Sequence, residues 1–142
     1  MLSEQSIVDA LYQKLSSLGL KVYKNVVLPC CEVDVIAVEG SAPRPLVHVF
    51  EVKTRVKPKL VKQVFKRLLF SDYVYVVVPY KIVAHLYRKV DGSVGIVVYY
   101  NGDFYIYRFA KLLGNGSRLL DYIEKNIASP STGMPRNGCA LA

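Results

Sequence analysis

The sequence is short of cysteine, of acidic residues and of long apolar runs, and each shortage excludes a class of protein. It has three cysteines, of which Cys30 and Cys31 are adjacent, so neither a disulfide framework nor a zinc cluster follows from them. No apolar run approaches the roughly 18 residues that a membrane-spanning helix needs. The N-terminus lacks a basic segment followed by an apolar stretch, which argues against a secretory signal. We therefore expect a cytoplasmic protein without a membrane span.

The composition is that of one folded domain. The chain has 142 residues, of which 52% are hydrophobic and 21% are charged, so it is neither disordered nor of low complexity. A chain of this length builds one core and has little room for a second. We expect a single domain over 1–127, with a core over 3–79 and an extension over 80–127. Residues 128–142 have the composition of a flexible tail.

Positive charge dominates the chain. Nineteen Lys and Arg residues stand against eleven Asp and Glu residues, which gives a net charge of +8. This balance favours a polyanionic partner, either nucleic acid or, less often, an anionic membrane surface. The segment from Lys53 to Arg67 carries seven cations in fifteen residues and no carboxylate. We call it the basic segment.

Hydrophobic periodicity predicts a helix, three strands, a helix and a strand, followed by a helix, a hairpin and a final helix. Asn101 and Gly102 between two β-rich runs indicate the hairpin, because both turn residues favour a positive φ. Ser117 is the expected N-cap of the last helix. The expected helices span 3–18, 58–70, 81–88 and 117–127, and the expected strands span 20–28, 31–39, 46–54, 73–78 and the two arms of 95–109. This order predicts an α/β fold of the mixed α+β kind, with helices on both sides of one mixed sheet.

Three charged residues interrupt strands that are otherwise apolar: Asp34, Glu51 and Lys53. Because side chains alternate along a strand, Glu51 and Lys53 share one face. If the loop 40–45 makes a symmetric turn, Asp34 falls directly opposite Glu51, with the two Cβ atoms about 5 Å apart. Two like charges destabilise a half-buried sheet unless a cation lies between them, and Mg²⁺ prefers oxygen ligands of this kind. The pattern therefore indicates a divalent metal site.

Two further residues bear on this site. Glu4 lies on the inward stripe of the first helix and is a fourth candidate. His48 alternates with the apolar residues of its strand and is expected on the other face of the sheet. A plainer interpretation is also open, because the same register places Glu32 opposite Lys53 as an ordinary cross-strand ion pair. In that case the two strand carboxylates would only mark a solvated strand end.

Together these residues resemble a known family, the PD-(D/E)XK nucleases, which include type II restriction enzymes and archaeal Holliday junction resolvases. The resemblance rests on an acidic residue in the first helix, on Asp34 among apolar neighbours, and on Glu51, Val52 and Lys53 in the next strand. The predicted order α-β-β-β-α-β is similar to the core of that superfamily and covers residues 3–79. Val33 stands where the family has proline before the aspartate.

The resemblance implies metal-dependent hydrolysis of phosphodiester bonds in DNA, including branched or otherwise structured DNA. Asp34 and Glu51 would hold Mg²⁺, for which Mn²⁺ would substitute, and the backbone carbonyl of Val52 would complete the site. Lys53 would orient the attacking water or stabilise charge on the phosphate. Glu4 would be an outer ligand or would hold a metal-bound water. These four side chains, Glu4, Asp34, Glu51 and Lys53, form the implied catalytic set.

The basic segment supplies the predicted nucleic-acid-binding surface. Lys59, Lys62 and Lys66 recur at helical spacing, and Gln63 lies at the edge of the apolar stripe, either near the site or as a surface amide. The whole predicted set is Arg55, Lys57, Lys59, Lys62, Gln63, Lys66 and Arg67. DNA is the expected partner, and the pattern does not separate DNA from RNA. Small nucleases of this type often dimerise to reach two strands, which makes a homodimer a candidate assembly.

Two other interpretations stay open on the sequence alone. A catalytically inactive member of the same fold would bind nucleic acid, or scaffold a complex, through the basic segment. A membrane-surface or protein-interaction module would use the same helix as a basic amphipathic face. An inactive relative has no need to keep Asp34, Glu51 and Lys53 together, and this intact set favours the enzyme.

Overall fold

In the part of the chain that the structure describes, six strands form one mixed sheet in chain order, and four α-helices cover it. The structure is a computed structural model and describes residues 2–40 and 43–127. The helices are α1 (Glu4–Ser17), α2 (Lys59–Leu68), α3 (Val83–Tyr87) and α4 (Ser117–Asn126), and a 3₁₀ turn at Tyr80–Ile82 precedes α3. The strands are β1 (Lys21–Val27), β2 (Glu32–Glu39), β3 (Leu46–Val52), β4 (Tyr73–Pro79), β5 (Gly95–Tyr100) and β6 (Asp103–Arg108). The predicted order of elements is confirmed, and so is the mixed sheet.

The sheet has an antiparallel half and a parallel half, and this arrangement decides where the strand ends meet. β1, β2 and β3 form an antiparallel meander, whereas β3, β4 and β5 run parallel, and β6 returns antiparallel to β5. Because β3, β4 and β5 run parallel, their carboxyl ends lie along one edge of the sheet. Open sheets with parallel strands characteristically bind ligands outside that edge.

The predicted register between β2 and β3 is confirmed. Val35 pairs with Phe50, and the pairing continues to Glu39 with Leu46. The predicted hairpin is also present, with Asn101 and Gly102 at φ 54° and 82° between β5 and β6. Both positive φ values are those that a tight hairpin turn requires.

Alternation along the strands builds a core on each face of the sheet. On one face, Ile7, Val8 and Leu11 of α1 pack against a cluster that includes Phe50 and Val52 of β3. The other face is covered by α4, whose Leu119, Tyr122 and Ile123 pack on the first three strands. There α2 and α3 add Leu60, Val64 and Leu86 over the later strands. Helices therefore lie on both sides of the sheet, as the sequence predicts.

The start of α4 differs from the prediction. Its N-cap is Gly116 rather than Ser117, and no side chain of the cap residue satisfies the free N–H groups. The carboxylate of Asp72, which is fully buried, accepts a hydrogen bond from the Gly116 N–H at 3.1 Å instead. It also accepts from the Val47 N–H at 2.8 Å and from both terminal nitrogens of Arg44 at 2.9 and 2.6 Å. A side chain from a distant loop therefore replaces the local cap that the sequence predicts.

No helix within the described part of the chain is long and apolar enough to span a bilayer. The predicted tail over 128–142, which contains Cys139, lies outside the described residues.

Candidate functional site

Asp34 lies where β2 and β3 separate. The regular pairing begins at Val35 with Phe50, and one further step places Asp34 opposite Glu51. At this position the backbone N–H of Val52 donates to Oδ2 of Asp34 at 2.7 Å. The carboxylate therefore satisfies a β3 backbone group at the point where the ladder ends. Burial raises the pKa of Asp34, the Val52 N–H and Lys53 act in the opposite direction, and Glu4 adds to the increase.

Glu51 is a buried carboxylate, with only 3% of its surface exposed. Its burial and the neighbouring Asp34 raise the pKa of Glu51 to about 7, although Arg67 opposes this shift. The interpretation of Asp34 and Glu51 as a solvated strand end is therefore wrong for Glu51. A carboxylate held at this position is chemically unusual, because ionised groups are rarely buried without a partner.

Arg67 is that partner, and its position corrects a prediction. We expected it among the exposed nucleic-acid-binding cations, but it is only 5% exposed. It lies on the buried stripe of α2 with Leu60 and Val64, because these positions are seven and three residues before it. Its guanidinium donates to the backbone oxygens of Gln63 and Glu32 at 2.7 and 2.8 Å. Its Nε is 3.2 Å from Oε2 of Glu51.

Glu4 reaches the site from the first turn of α1. Its Oε2 accepts a hydrogen bond from the Thr54 N–H at 3.0 Å and lies 3.4 Å from the Thr54 hydroxyl. The residue is exposed and does not belong to the buried stripe of α1, so the prediction of an inward position is wrong. The hydrogen bonds nevertheless attach the start of α1 to the chain just after β3. They bring a third carboxylate to the cleft that Asp34 and Glu51 line.

A cleft of about 630 Å³ contains these side chains. The four residues predicted to be catalytic all line it, and the exposed cations of α2 form its rim. Its lining includes Glu4, Asp34, Glu51, Lys53, Lys59, Lys62, Gln63, Lys66 and Arg67. Arg55 and Lys57 line an adjoining hollow of about 270 Å³ that shares Glu4, Lys53, Lys59 and Gln63 with the cleft. The fold therefore brings the predicted catalytic and binding residues to one continuous surface.

The sequence pattern did not predict some residues of the cleft. Asn25 lies in β1 between the pairs that flank Asp34, and its φ is 52°, in the left-handed region. An asparagine inside a Val-rich strand was the available signal, because asparagine tolerates this conformation. Cys31 also lines the cleft, and burial raises its pKa to about 12, although Arg67 opposes this. It is therefore present as a thiol. Gln5, Val8 and Glu32 complete the set of missed residues.

The donor atoms fit a divalent metal ion held by two carboxylates. In the described ranges no group of three or more His, Cys, Asp or Glu side chains could hold a metal ion. A hard cation such as Mg²⁺ often takes only one or two carboxylates and keeps several waters. Oε2 of Glu51 is buried and accepts no hydrogen bond from the described residues. Asp34 and Glu51 are the two carboxylates that would hold such an ion, with the carbonyl of Val52 as a further ligand, and the ion would compete with Arg67, whose Nε lies 3.2 Å from the same Oε2.

His48 does not belong to the site, in agreement with the sequence prediction. Its Nε2 is 2.8 Å from Oε1 of Glu39 at the far end of β2. Its ring stacks on Tyr73 with the ring centroids 4.8 Å apart. The imidazole therefore packs on the face that carries Phe50 rather than in the cleft.

Comparison with known proteins supports the fold and assigns no activity. No family model and no curated protein matches the chain. The chain is similar to the solved structure of a protein of unknown function from Silicibacter pomeroyi, with a TM-score of 0.62 and 19% sequence identity. The similarity covers 78% of this chain and 74% of that protein. The two proteins share a fold, and a functional hypothesis for this chain therefore rests on the residues of the cleft.

Proposed function

We propose that the protein is a Mg²⁺-dependent nuclease of the PD-(D/E)XK type that hydrolyses phosphodiester bonds in DNA. The observation that carries this proposal is the convergence of Asp34, Glu51 and Lys53 in one cleft with a rim of lysines. The order α1, β1, β2, β3, α2, β4 supports it, because it agrees with the core order of that superfamily. Structured or branched DNA is the finer substrate class that we propose with it.

In this proposal, some residues of the cleft bind the metal ion and others contact the phosphate or the attacking water. Asp34 and Glu51 would hold the metal, with the Val52 carbonyl as a further ligand. When bound, Mg²⁺ would polarise a phosphate oxygen and make a coordinated water more acidic. Lys53 lies two residues after Glu51, just beyond the end of β3 rather than within the strand, and lines the same cleft. It would donate to the phosphate oxygen on which negative charge develops, or orient the attacking water. Glu4 holds the Thr54 backbone in place and would accept a hydrogen bond from a water at the mouth of the cleft.

The exposed lysines of α2 provide affinity for the substrate backbone. Lys59, Lys62 and Lys66 are exposed, and all three line the cleft. Phosphate contacts of this kind position a nucleic acid without reading its sequence. Arg55 and Lys57 extend the same positive surface along the adjoining hollow.

The Arg67–Glu51 ion pair favours a second candidate function. Its guanidinium already gives the buried carboxylate a positive neighbour at 3.2 Å, without any metal ion. A protein that has lost metal binding could keep such a pair for stability alone. The second candidate is therefore a catalytically inactive protein of this fold that binds nucleic acid, or scaffolds a complex, through α2.

The deciding experiment is incubation of the purified protein with linear duplex, single-stranded DNA, RNA and a four-way junction, in Mg²⁺, Mn²⁺ or EDTA. We expect DNA cleavage with either metal and none in EDTA. Glu51→Gln should lose most cleavage and retain DNA binding, and Asp34→Ala should abolish the heat of Mn²⁺ binding in calorimetry. Glu124→Gln, which alters an exposed carboxylate of α4, is the matched control and should behave as wild type.

Two results would contradict the proposal. A wild-type protein that binds DNA and cleaves no substrate with either metal would support the inactive candidate. Cleavage that survives both Glu51→Gln and Asp34→Ala would place the active site elsewhere in the molecule.

A further inference from the structure

A groove of about 480 Å³ lies along the carboxyl ends of the parallel strands, beside the cleft. It is lined where the chain leaves β3, β4 and β5, at Thr54 and Arg55, at Pro79 to Ile82, and at Tyr99 to Asn101. These three chain segments meet there because the strands run parallel and end at the same edge. The catalytic role proposed above makes no use of this groove.

Two tyrosine rings stand exposed in the groove. Tyr80 and Tyr100 are 61% and 54% exposed, and their ring centroids are 5.2 Å apart with an angle of 52° between the planes. Tyr99 differs from them, because its ring packs against Phe104 with centroids 5.0 Å apart. The exposed pair lies on short segments at strand ends, between Pro79 and α3 and just before the hairpin turn at Asn101. These rings contribute little to the core and present apolar area to solvent.

The groove is positively charged and adjoins the hollow beside the cleft. Arg55 and Lys81 line it, and no carboxylate does. Arg55 also lines the hollow that contains Lys53 and Glu4, so a single side chain borders both. The neighbouring Thr54 is hydrogen bonded to Glu4 at 3.0 Å. A phosphate backbone that crosses the cleft can therefore continue past Arg55 onto the tyrosine rings without meeting negative charge beyond Glu4.

From this placement we infer that the groove binds unpaired nucleotides adjacent to the cleaved phosphate, with bases stacked on Tyr80 and Tyr100 and phosphates held by Arg55 and Lys81. The inference rests on the proposed function, because it gives that site a substrate class: DNA with a single-stranded segment. Aromatic rings in a basic groove bind bases of any sequence, since every base has a π-face. Paired bases in a duplex are already stacked on both faces and cannot use these rings.

The test measures binding in EDTA, so that its result does not depend on metal chemistry. Fluorescence anisotropy gives the Kd for three labelled DNA probes: a single strand, the same strand with abasic sites, and a duplex. The variants are Tyr80→Ala and Tyr100→Ala, each with Tyr→Phe at the same position, which keeps the ring. Tyr105→Ala is the matched control, because Tyr105 is 54% exposed on β6 and does not line the groove.

We expect each Tyr→Ala change to weaken single-strand binding by roughly 5- to 150-fold, the factor that corresponds to the loss of one stacked base. The Tyr→Phe variants should bind as wild type, and Tyr105→Ala should have no effect. Binding of the duplex and of the abasic strand should be unchanged by either alanine.

The inference is overturned if the alanine variants bind the single strand as wild type does, or if they weaken all three probes equally. Wild-type binding to the abasic strand as tight as to the base-containing strand would also overturn it. If the duplex is cleaved in Mg²⁺ while the single-strand effects are absent, the proposed function stands and only the groove is misassigned. If the stacking effects are found but no DNA is cleaved, the groove stands and the nuclease assignment fails.

Discussion

At the scale of single residues, the charge balance around Glu51 governs the chemistry of the cleft. The carboxyl is buried beside Asp34 and has Arg67 as its cationic neighbour. Nε of Arg67 and Oε2 of Glu51 are buried and form no well-directed hydrogen bond within the described chain, although they lie 3.2 Å apart. An ion pair of this kind stabilises weakly, because burial removes hydration that the pair does not fully replace. A metal ion held by Asp34 and Glu51 would add a further positive charge beside this pair.

We expect the stability of the Glu51→Gln variant to increase relative to that of the wild type as the pH rises. The pKa of Glu51 is raised to about 7 in the folded state, from an ordinary value of 4.5. Between these values the unfolded chain ionises first, so the wild type loses stability with rising pH, whereas glutamine does not titrate. The difference in unfolding free energy should shift by about 2–3 kcal/mol towards the variant between pH 5 and pH 8.

Urea denaturation in EDTA at both pH values measures this shift. Glu124→Gln should show no comparable change, because its carboxylate is exposed. A constant difference between Glu51→Gln and wild type across this range would mean that Glu51 titrates normally.

Lys53→Ala should separate catalysis from binding. If Lys53 stabilises charge on the phosphate, its loss should slow cleavage on the order of 100-fold or more, as when one preorganised donor is removed. Affinity for DNA should change little, because the exposed lysines of α2 remain. Single-turnover cleavage and anisotropy with the same duplex measure the two effects. An equal loss in both assays would assign Lys53 to binding alone.

At the scale of elements, α2 has two faces with different tasks. Leu60, Val64 and Arg67 are buried, whereas Lys59, Lys62 and Lys66 are exposed on the cleft side. The helix therefore supports the buried carboxylate from one stripe and presents cations to solvent from another. Arg67 is the buried cation of α2, and it lies at helical spacing from the apolar residues Leu60 and Val64.

The triple change of Lys59, Lys62 and Lys66 to alanine should reduce the salt dependence of DNA binding. Each phosphate contact that is lost lowers the slope of log K against log salt by about 0.9 for duplex DNA. Anisotropy titrations at salt concentrations from about 50 to about 200 mM measure the change in this slope. The control replaces Lys21, Lys89 and Lys125, which are exposed and lie outside the cleft. A slope that falls equally in both triples would indicate a general charge effect.

At the scale of the whole molecule, Asp72 connects parts of the fold that are distant in sequence. Its carboxylate binds Arg44 in the β2–β3 loop, the N–H of Val47 in β3 and the N–H of Gly116 before α4. A Cβ at Gly116 would collide with this carboxylate, so glycine is required there. Burial acts to raise the pKa of Asp72, but the hydrogen bonds from Arg44, Val47 and Gly116 outweigh burial and lower it.

Asp72→Ala should destabilise the protein by about 1–3 kcal/mol at pH 7, because it leaves the buried N–H groups of Val47 and Gly116 without an acceptor. The carboxylate contributes this stability only while it is ionised, so the loss should shrink as the pH falls below its ordinary pKa of 3.8. Chemical denaturation followed by circular dichroism measures it. Asp121→Ala, an exposed change on α4, should cost far less. Equal costs would exclude Asp72 as the connecting residue.

The sequence by itself determined the order of elements, the register of β2 and β3, the hairpin turn and the joint position of Asp34, Glu51 and Lys53. These features follow from local rules, since alternation, helical spacing and turn chemistry act over a few residues. The tertiary structure decided which groups are buried and what they contact. Arg67 forms an ion pair with Glu51. Asp72, rather than Ser117, accepts a hydrogen bond at the start of α4. The ring of Tyr80 packs against that of Tyr100. Each of these contacts joins residues far apart in the chain, and their burial depends on how the helices pack against the sheet, which no local pattern specifies.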